Sequence, residues 1–321
     1  MIKEITMTEI DVLVSEVGPR DGLQSLDTIM STDAKKRWIK AEAAAGVREI
    51  EVGSFVPAKL LPQMADTGEI VKYAKTIPGL TVTALVPNFI GAKNAIKAGV
   101  DKMCLPLSVS ETHSRANLRK SHSEVLGEIE NIVQYINSLE ATKRPEFAGN
   151  LATAFGCTLE GPVAEKTVLS LAGQLMELGC GEVGLSDTTG YANPAQIKRL
   201  IRLVKKEVGN DRLTSIHLHN TRGLGLANAL AALEEGITTL DSSLGGIGGC
   251  PFAPGASGNI VTEDLVFMLD SMGLRTGIDL EALIEVNRMV KQSLPKEELY
   301  GFTVDSGLPK GYQNGGWGVA G

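Results

Sequence analysis

The chain has 321 residues, 43% of them hydrophobic and 21% charged, with a formal net charge of −7. That balance supplies a large core and excludes a basic footprint for nucleic acid, although a local cluster of Arg or Lys could still meet an anionic ligand. No run approaches the roughly 20 apolar residues of a membrane-spanning helix, so no membrane partner is expected.

Taken in chain order, residues 10–17 form a first apolar run. It stops at Gly18-Pro19 and is followed at once by the oppositely charged pair Arg20 and Asp21. Further strands are predicted over 49–55, 80–86, 102–107, 149–154, 182–186, 214–218 and 238–242. Segments rich in Ala, Leu, Glu and Lys with helical periodicity alternate with them, over 33–45, 91–98, 123–139, 164–178, 194–208 and 224–235. One grammar repeats, as in EAAAGVREIEV and AIKAGVDKMCL: a helix ends at a Gly, and a strand starts two to four residues later. Apolar strands of this kind point to a parallel sheet covered on both faces. Eight strands, each followed by a helix, predict an α/β protein, a (β/α)8 TIM barrel forming a single catalytic domain over 1–321. An open doubly wound sheet is the alternative, but no strand is followed by a dinucleotide fingerprint. Helices over 263–272 and 280–293 add to the barrel. A Gly-rich tail over about 300–321 either is disordered or folds over the mouth.

The cysteines are Cys104, Cys157, Cys180 and Cys250. None forms a CxxC pair, and the opening residues Met1-Ile2-Lys3-Glu4 lack the apolar core of a secretory signal. A reducing cytoplasm is the expected location. Cys104 and Cys180, set among apolar residues, read as buried structural thiols. Cys250 differs. It lies in GGCP, on a loop that its neighbouring glycines make mobile and reachable.

In a barrel, the chemistry gathers at the carboxyl ends of the strands. Those ends carry Arg20 and Asp21, then Glu51 and Ser54, then Ser186, Asp187 and Thr188, then the run IHLHN, and finally LGGIGGCPFAPGASGN. His217 and His219 are two residues apart, so on a strand they face the same side. Two such imidazoles form half of a metal site, with Asp21 as a hard oxygen ligand and Asn259 as a neutral one. That donor set suits an octahedral Mg2+ or Mn2+ better than tetrahedral Zn2+.

Four stretches together, VGPRDGLQ, SFVPAKLLPQMAD, HLH and GGCPFAPGASGNIVTEDLV, resemble the 3-hydroxy-3-methylglutaryl-CoA lyase family. The resemblance spans roughly residues 11–292. It implies a (β/α)8 barrel, a divalent cation, an acyl-CoA substrate, and retro-aldol cleavage to acetyl-CoA and acetoacetate. By position, Asp21, His217, His219 and Asn259 match the family's metal ligands. Arg20 matches the arginine that stabilises the thioester enolate, and Cys250 the loop cysteine that supplies or relays a proton. Glu51, Gln24 and Asp187 match further polar residues around metal and substrate, and either Asp21 or Asp187 serves as the base. A homodimer or higher homo-oligomer is a family expectation.

The match is incomplete after the second histidine, where Asn220-Thr221-Arg222-Gly223 replaces the family's Asp-Thr-Tyr-Gly. Arg222 there points to contact with a substrate carboxylate, as in a lyase for a related acyl-CoA such as citramalyl-CoA. His113 also stands where the family has an apolar residue. A condensing synthase of the isopropylmalate or homocitrate type is the remaining rival. Such enzymes carry a Glu where this chain has Leu23, and they lack the GGCP loop.

Overall fold

The structure is a computed structural model that describes residues 10–248 and 258–312. Its centre is a closed barrel of eight strands in sequential order. The strands are β1 (Leu13–Glu16), β2 (Glu49–Ser54), β3 (Thr81–Leu85), β4 (Lys102–Ser108), β5 (Glu146–Ala152), β6 (Glu182–Asp187), β7 (Ser215–Leu218) and β8 (Thr239–Ser242). Every neighbouring pair is parallel, and β1 closes on β8. The open sheet is thereby excluded. Around the barrel lie α1 (Thr32–Ala44), α2 (Thr67–Ala74), α3 (Phe89–Ala98), α4 (Glu111–Asn117), α5 (His122–Ser138), α6 (Glu165–Glu177), α7 (Pro194–Val208) and α8 (Gly225–Glu234). The helices α9 (Thr262–Ser271), α10 (Leu280–Ser293) and α11 (Phe302–Ser306) follow.

Local sequence explains the helices. α7 starts at Asn193, whose side chain accepts from the Gln196 amide, and has Pro194 at its first position. Ile197, Leu200, Ile201 and Val204 recur at helical spacing and are the residues it buries. α5 starts with a complete capping box, Ser121 and Glu124. The predicted glycine stop follows α1, α3, α6 and α8 as Gly46, Gly99, Gly179 and Gly236.

The strands correct one expectation: they alternate rather than run apolar throughout. Ile50, Val52, Val82, Met103, Leu105, Val183, Leu185, Ile216 and Leu240 share one parity and are buried in the core. The opposite parity is polar, with Ser15, Glu49, Glu51, Lys102, Glu182, His217 and Asp241. These line the inside. Lys102 of β4 bonds to Glu182 of β6 at 2.8 Å, across the interior and past the intervening β5. The apolar core is therefore the layer between barrel and helices, and the barrel's interior is a charged network.

Predicted boundaries hold to within one or two residues, with three exceptions. β1 starts at Leu13 because the Asp11 and Val12 amides bond to the Arg275 carbonyl instead of a strand. β5 starts three residues early, at Glu146, whose amide bonds to the Asp101 carbonyl in register with β4, and it ends at Ala152, before Thr153 takes a positive φ of 56°. The tail's described part, to residue 312, runs along α9 and not over the mouth. Phe302 and Thr303 amides donate to Asp264, the Tyr312 hydroxyl bonds Asp270, and the Tyr312 ring stacks on Phe267. No helix among the described residues is long and apolar enough to cross a membrane.

Candidate active site

β1 ends in a tight turn over Gly18–Gly22 with π-helical character. The amides of Asp21 and Gly22 both reach back to the Val17 carbonyl, at 2.7 and 3.4 Å. This turn presents Arg20 and Asp21 together at the barrel mouth. Arg20 Nε donates to Glu51 Oε2 at 2.5 Å and Nη1 to Asp21 Oδ1 at 2.6 Å, so one guanidinium joins β1 to β2. A register shift between Glu51 and Ser54 marks β2 at this point. Asp21 Oδ1 also accepts from Gln24 Nε2 at 2.9 Å, and Oδ2 from Asn259 Nδ2 at 2.8 Å.

His217 and His219 face Asp21 from β7 and its end. Each Nε2 lies 3.9 Å from Asp21 Oδ2, and the two Nε2 atoms are 3.0 Å apart. The bridge between His219 and Asn259 brings the fourth residue of the predicted ligand set alongside. Gly248 forms the wall: a Cβ there would lie 2.6 Å from Asn259 Nδ2 and 3.1 Å from the Asp21 carbonyl. Gly258 lets its segment approach just as closely, since a Cβ would lie 2.1 Å from the Gly246 carbonyl.

The electrostatics favour cation binding. Burial alone would raise the Asp21 pKa. Arg20, the two histidines and the Asn259 amide outweigh it and hold this carboxyl well below the usual range. Burial and the neighbouring His217 lower His219 to about 4, so its imidazole is neutral and offers a lone pair. Asp21, His217 and His219 place one ligand atom each within 4.8 Å of the others. Asn259 adds a fourth: its Nδ2 is committed to Asp21 and the Ile247 carbonyl, while its buried Oδ1 has no partner among the described residues. The donor set fits a divalent ion.

Not every predicted residue joins this cluster. Asp187, fully buried, turns its carboxylate to the amides of Tyr191 and Ala192, at 2.9 and 3.2 Å, and so holds the loop after β6. Burial, opposed by those amides, pushes its pKa up to about 6. Arg222 is exposed. Its Nη1 donates to the Thr189 and Gly190 carbonyls at 3.1 Å, and its guanidinium lies 4.6 Å over the Tyr191 ring. It borders a cavity of about 380 Å³ with Phe155, Val163 and Tyr191. Cys250 lies outside the described residues.

Cys104 corrects another expectation. It is no core thiol but faces the interior, its Sγ 3.5 Å from Glu51 Oε1. Burial and the Glu51 charge push its thiol well up. Cys180 is buried as expected, and burial raises it to about 12. His113 is a buried helix residue bonded to Ser108 at 2.8 Å.

Sequence reasoning passed over two carboxylates. Asp241 Oδ2 lies 3.1 Å from His217 Nδ1. Glu16, fully buried, accepts from the amides of Gly18 at 2.7 Å and Leu244 at 3.0 Å, and from the Thr262 hydroxyl at 2.7 Å. It ties the turn carrying Arg20 to the segment after β8. An acid inside an otherwise apolar strand was the available signal for both.

A closed (β/α)8 barrel whose mouth gathers a carboxylate, two imidazoles, an amide and a paired guanidinium defines a barrel enzyme with a centre of metal-binding type. The family model described as HMGL-like matches residues 11–290, and the chain belongs to that family. Hydroxymethylglutaryl-CoA lyase of Bacillus subtilis is 39% identical over 285 residues, covering 89% of this chain and 94% of that one. The cytoplasmic 3-hydroxy-3-methylglutaryl-CoA lyase of Rattus norvegicus is 38% identical, covering 89% and 82%. Among solved structures, an HMG-CoA lyase from Acinetobacter baumannii, in complex with coenzyme A and 3-methylmalate, has a TM-score of 0.88 and 39% identity, covering 96% of this chain and 99% of that one. The Bacillus subtilis HMG-CoA lyase structure has a TM-score of 0.86 and 37% identity, covering 92% and 97%.

Proposed function

We propose that this protein is a divalent-cation-dependent carbon–carbon lyase that cleaves 3-hydroxy-3-methylglutaryl-CoA to acetyl-CoA and acetoacetate. The observation that carries this reading is the convergence of Asp21, His217, His219 and Asn259 beside the Arg20–Glu51 pair, in a chain with full-length lyase relatives. Asp21, His217, His219 and Asn259 would hold the cation, Mg2+ or Mn2+ in our reading. When bound, the cation supplies positive charge that lowers the pKa of the substrate's tertiary hydroxyl.

The reaction removes the hydroxyl proton, breaks the bond between C2 and C3, makes C3 the ketone of acetoacetate, and adds a proton at C2. Arg20 is assigned to hold the thioester oxygen, where enolate charge develops as the bond breaks. Glu51 fixes the guanidinium on one side and Asp21 on the other. Asp21, held ionised well below the usual range, is a ligand and a poor base. Asp187, at about 6, has the basicity of a proton acceptor near neutral pH, and two amide bonds leave part of its acceptor capacity free. Cys250 is assigned the return of a proton to C2, Gln24 the support of Asp21 at the substrate's edge, and Arg222 contact with the substrate from the rim. The protein acts in the cytoplasm, as a homo-oligomer by family analogy.

A second reading is a lyase for an acyl-CoA with a shorter, butanedioate backbone, such as citramalyl-CoA, which would yield pyruvate. The 3-methylmalate bound to the Acinetobacter baumannii enzyme, a positional isomer of citramalate, supports the butanedioate backbone and says nothing for pyruvate as product. The deciding experiment assays a panel of 3-hydroxy acyl-CoA thioesters with Mg2+ or Mn2+, following acetyl-CoA and the paired keto acid. Release of acetoacetate from 3-hydroxy-3-methylglutaryl-CoA with the highest kcat/KM supports the first reading. Preferential release of pyruvate from citramalyl-CoA overturns it.

A further inference from the structure

We infer that Asp241 is a positioning residue that sets the proton and the aim of the His217 imidazole, making His217 the preorganised ligand of the pair. The inference rests on the reading of Asp21, His217 and His219 as a metal centre.

Asp241 occupies an inward position on β8, in register with His217 on β7 and with Ser15 on β1. Its Oδ2 lies 3.1 Å from His217 Nδ1, so the carboxylate accepts the Nδ1–H bond. An imidazole that donates through Nδ1 keeps its lone pair on Nε2, the atom that faces Asp21 and His219. Such a carboxylate also raises the basicity of the ligand nitrogen and locks the ring's rotation. The proton on Nδ1 is thereby placed before any cation arrives.

His219 has no such support. Its Nδ1 is buried without a partner among the described residues. No carboxylate among the described residues therefore holds its ring as Asp241 holds that of His217.

The bland alternative is that Asp241 merely balances Lys102, whose charge it stabilises together with Glu49 and Glu182. A charge-balancing role alone would leave the tautomer of His217 and the cation affinity unmoved. Two readouts on the full chain separate these. Mn2+ titration by calorimetry compares wild type with Asp241→Asn, an isosteric change, and metal affinity is expected to fall about 10–100-fold. An unchanged affinity overturns the inference. Nitrogen-15 spectra of the metal-free wild type, assigned by comparison with His217→Gln, are expected to show His217 protonated at Nδ1. His217 protonated only at Nε2 overturns the inference without need of any Asp241 variant that folds. Absence of Mn2+ binding to the wild type would instead sink the metal centre on which the inference stands.

Discussion

Arg20 and Asp21 pair with each other, and each also has partners of its own. Arg20 is bound by Glu51, while Asp21 is bound by Gln24 and Asn259 and faces the imidazoles. Replacing Arg20 with Gln is expected to lower kcat by about 10²–10³ while Mn2+ affinity stays within a few-fold, as for other oxyanion donors. Steady-state kinetics beside a metal titration checks both, and near-normal kcat rejects the role. Asp187 gives a pH prediction. A base must be unprotonated to act, so kcat/KM should rise as pH increases through about 6, the value to which burial pushes this carboxyl. Asp187→Asn should lower the rate and abolish that limb; a limb that persists in the variant assigns it to another group.

At the scale of elements, most of the fold was legible. The glycine after each of four helices, the Asn193-Pro194 start of α7 and the apolar spacing along it all identify helices without a structure. The same holds for the capping box of α5. Ser121→Ala there should cost about 1 kcal/mol, seen as a lower urea midpoint with an unchanged slope. What was not legible has physical causes. α2 and α4 are short, so their periodicity spans barely two turns. The docking of residues 300–312 depends on Asp264 and Asp270, acids on another helix that pattern alone cannot connect to them. In the site, the HxH spacing and the strand ends pointed to Asp21, His217 and His219, because a barrel brings strand ends together. Asp241 and Glu16 were missed because their partners, a ring nitrogen on the next strand for the one and the distant Leu244 amide and Thr262 hydroxyl for the other, are brought to them only by folding. Asp187 was found from its strand end, but its amide partners four and five residues on were not, since they are a property of its loop.

The whole molecule carries two separate acidic layers. One lies inside the barrel around Lys102; the other lies between β1, α1 and α9, where Glu16, Glu42 and Glu263 are all fully buried. Burial outweighs the hydrogen bonds that Glu16 and Glu263 receive, raising Glu16 to about 7 and Glu263 to about 8, and burial together with the Glu16 charge raises Glu42 well above the usual range. The folded protein thus holds protons that the unfolded chain has already released. The contribution of these groups to stability is fullest below the ordinary carboxylate pKa and is lost as pH rises through about 7 to 8. Glu263→Gln should flatten the decline of unfolding free energy between about pH 5 and 8, measured by urea denaturation at several pH values. An unchanged slope would show that this carboxyl is ionised in the fold.

The strict alternation of the strands has a practical reach. Everything that bears on reactivity projects to one side of the sheet, and nearly everything that bears on cohesion projects to the other. An engineer can therefore treat the two as independent design variables. Volume-conserving exchanges among Val52, Leu105, Leu185 and Ile216 would tune heat tolerance without touching turnover. A change of substrate would be sought only among inward and rim positions, with the shell left as it is.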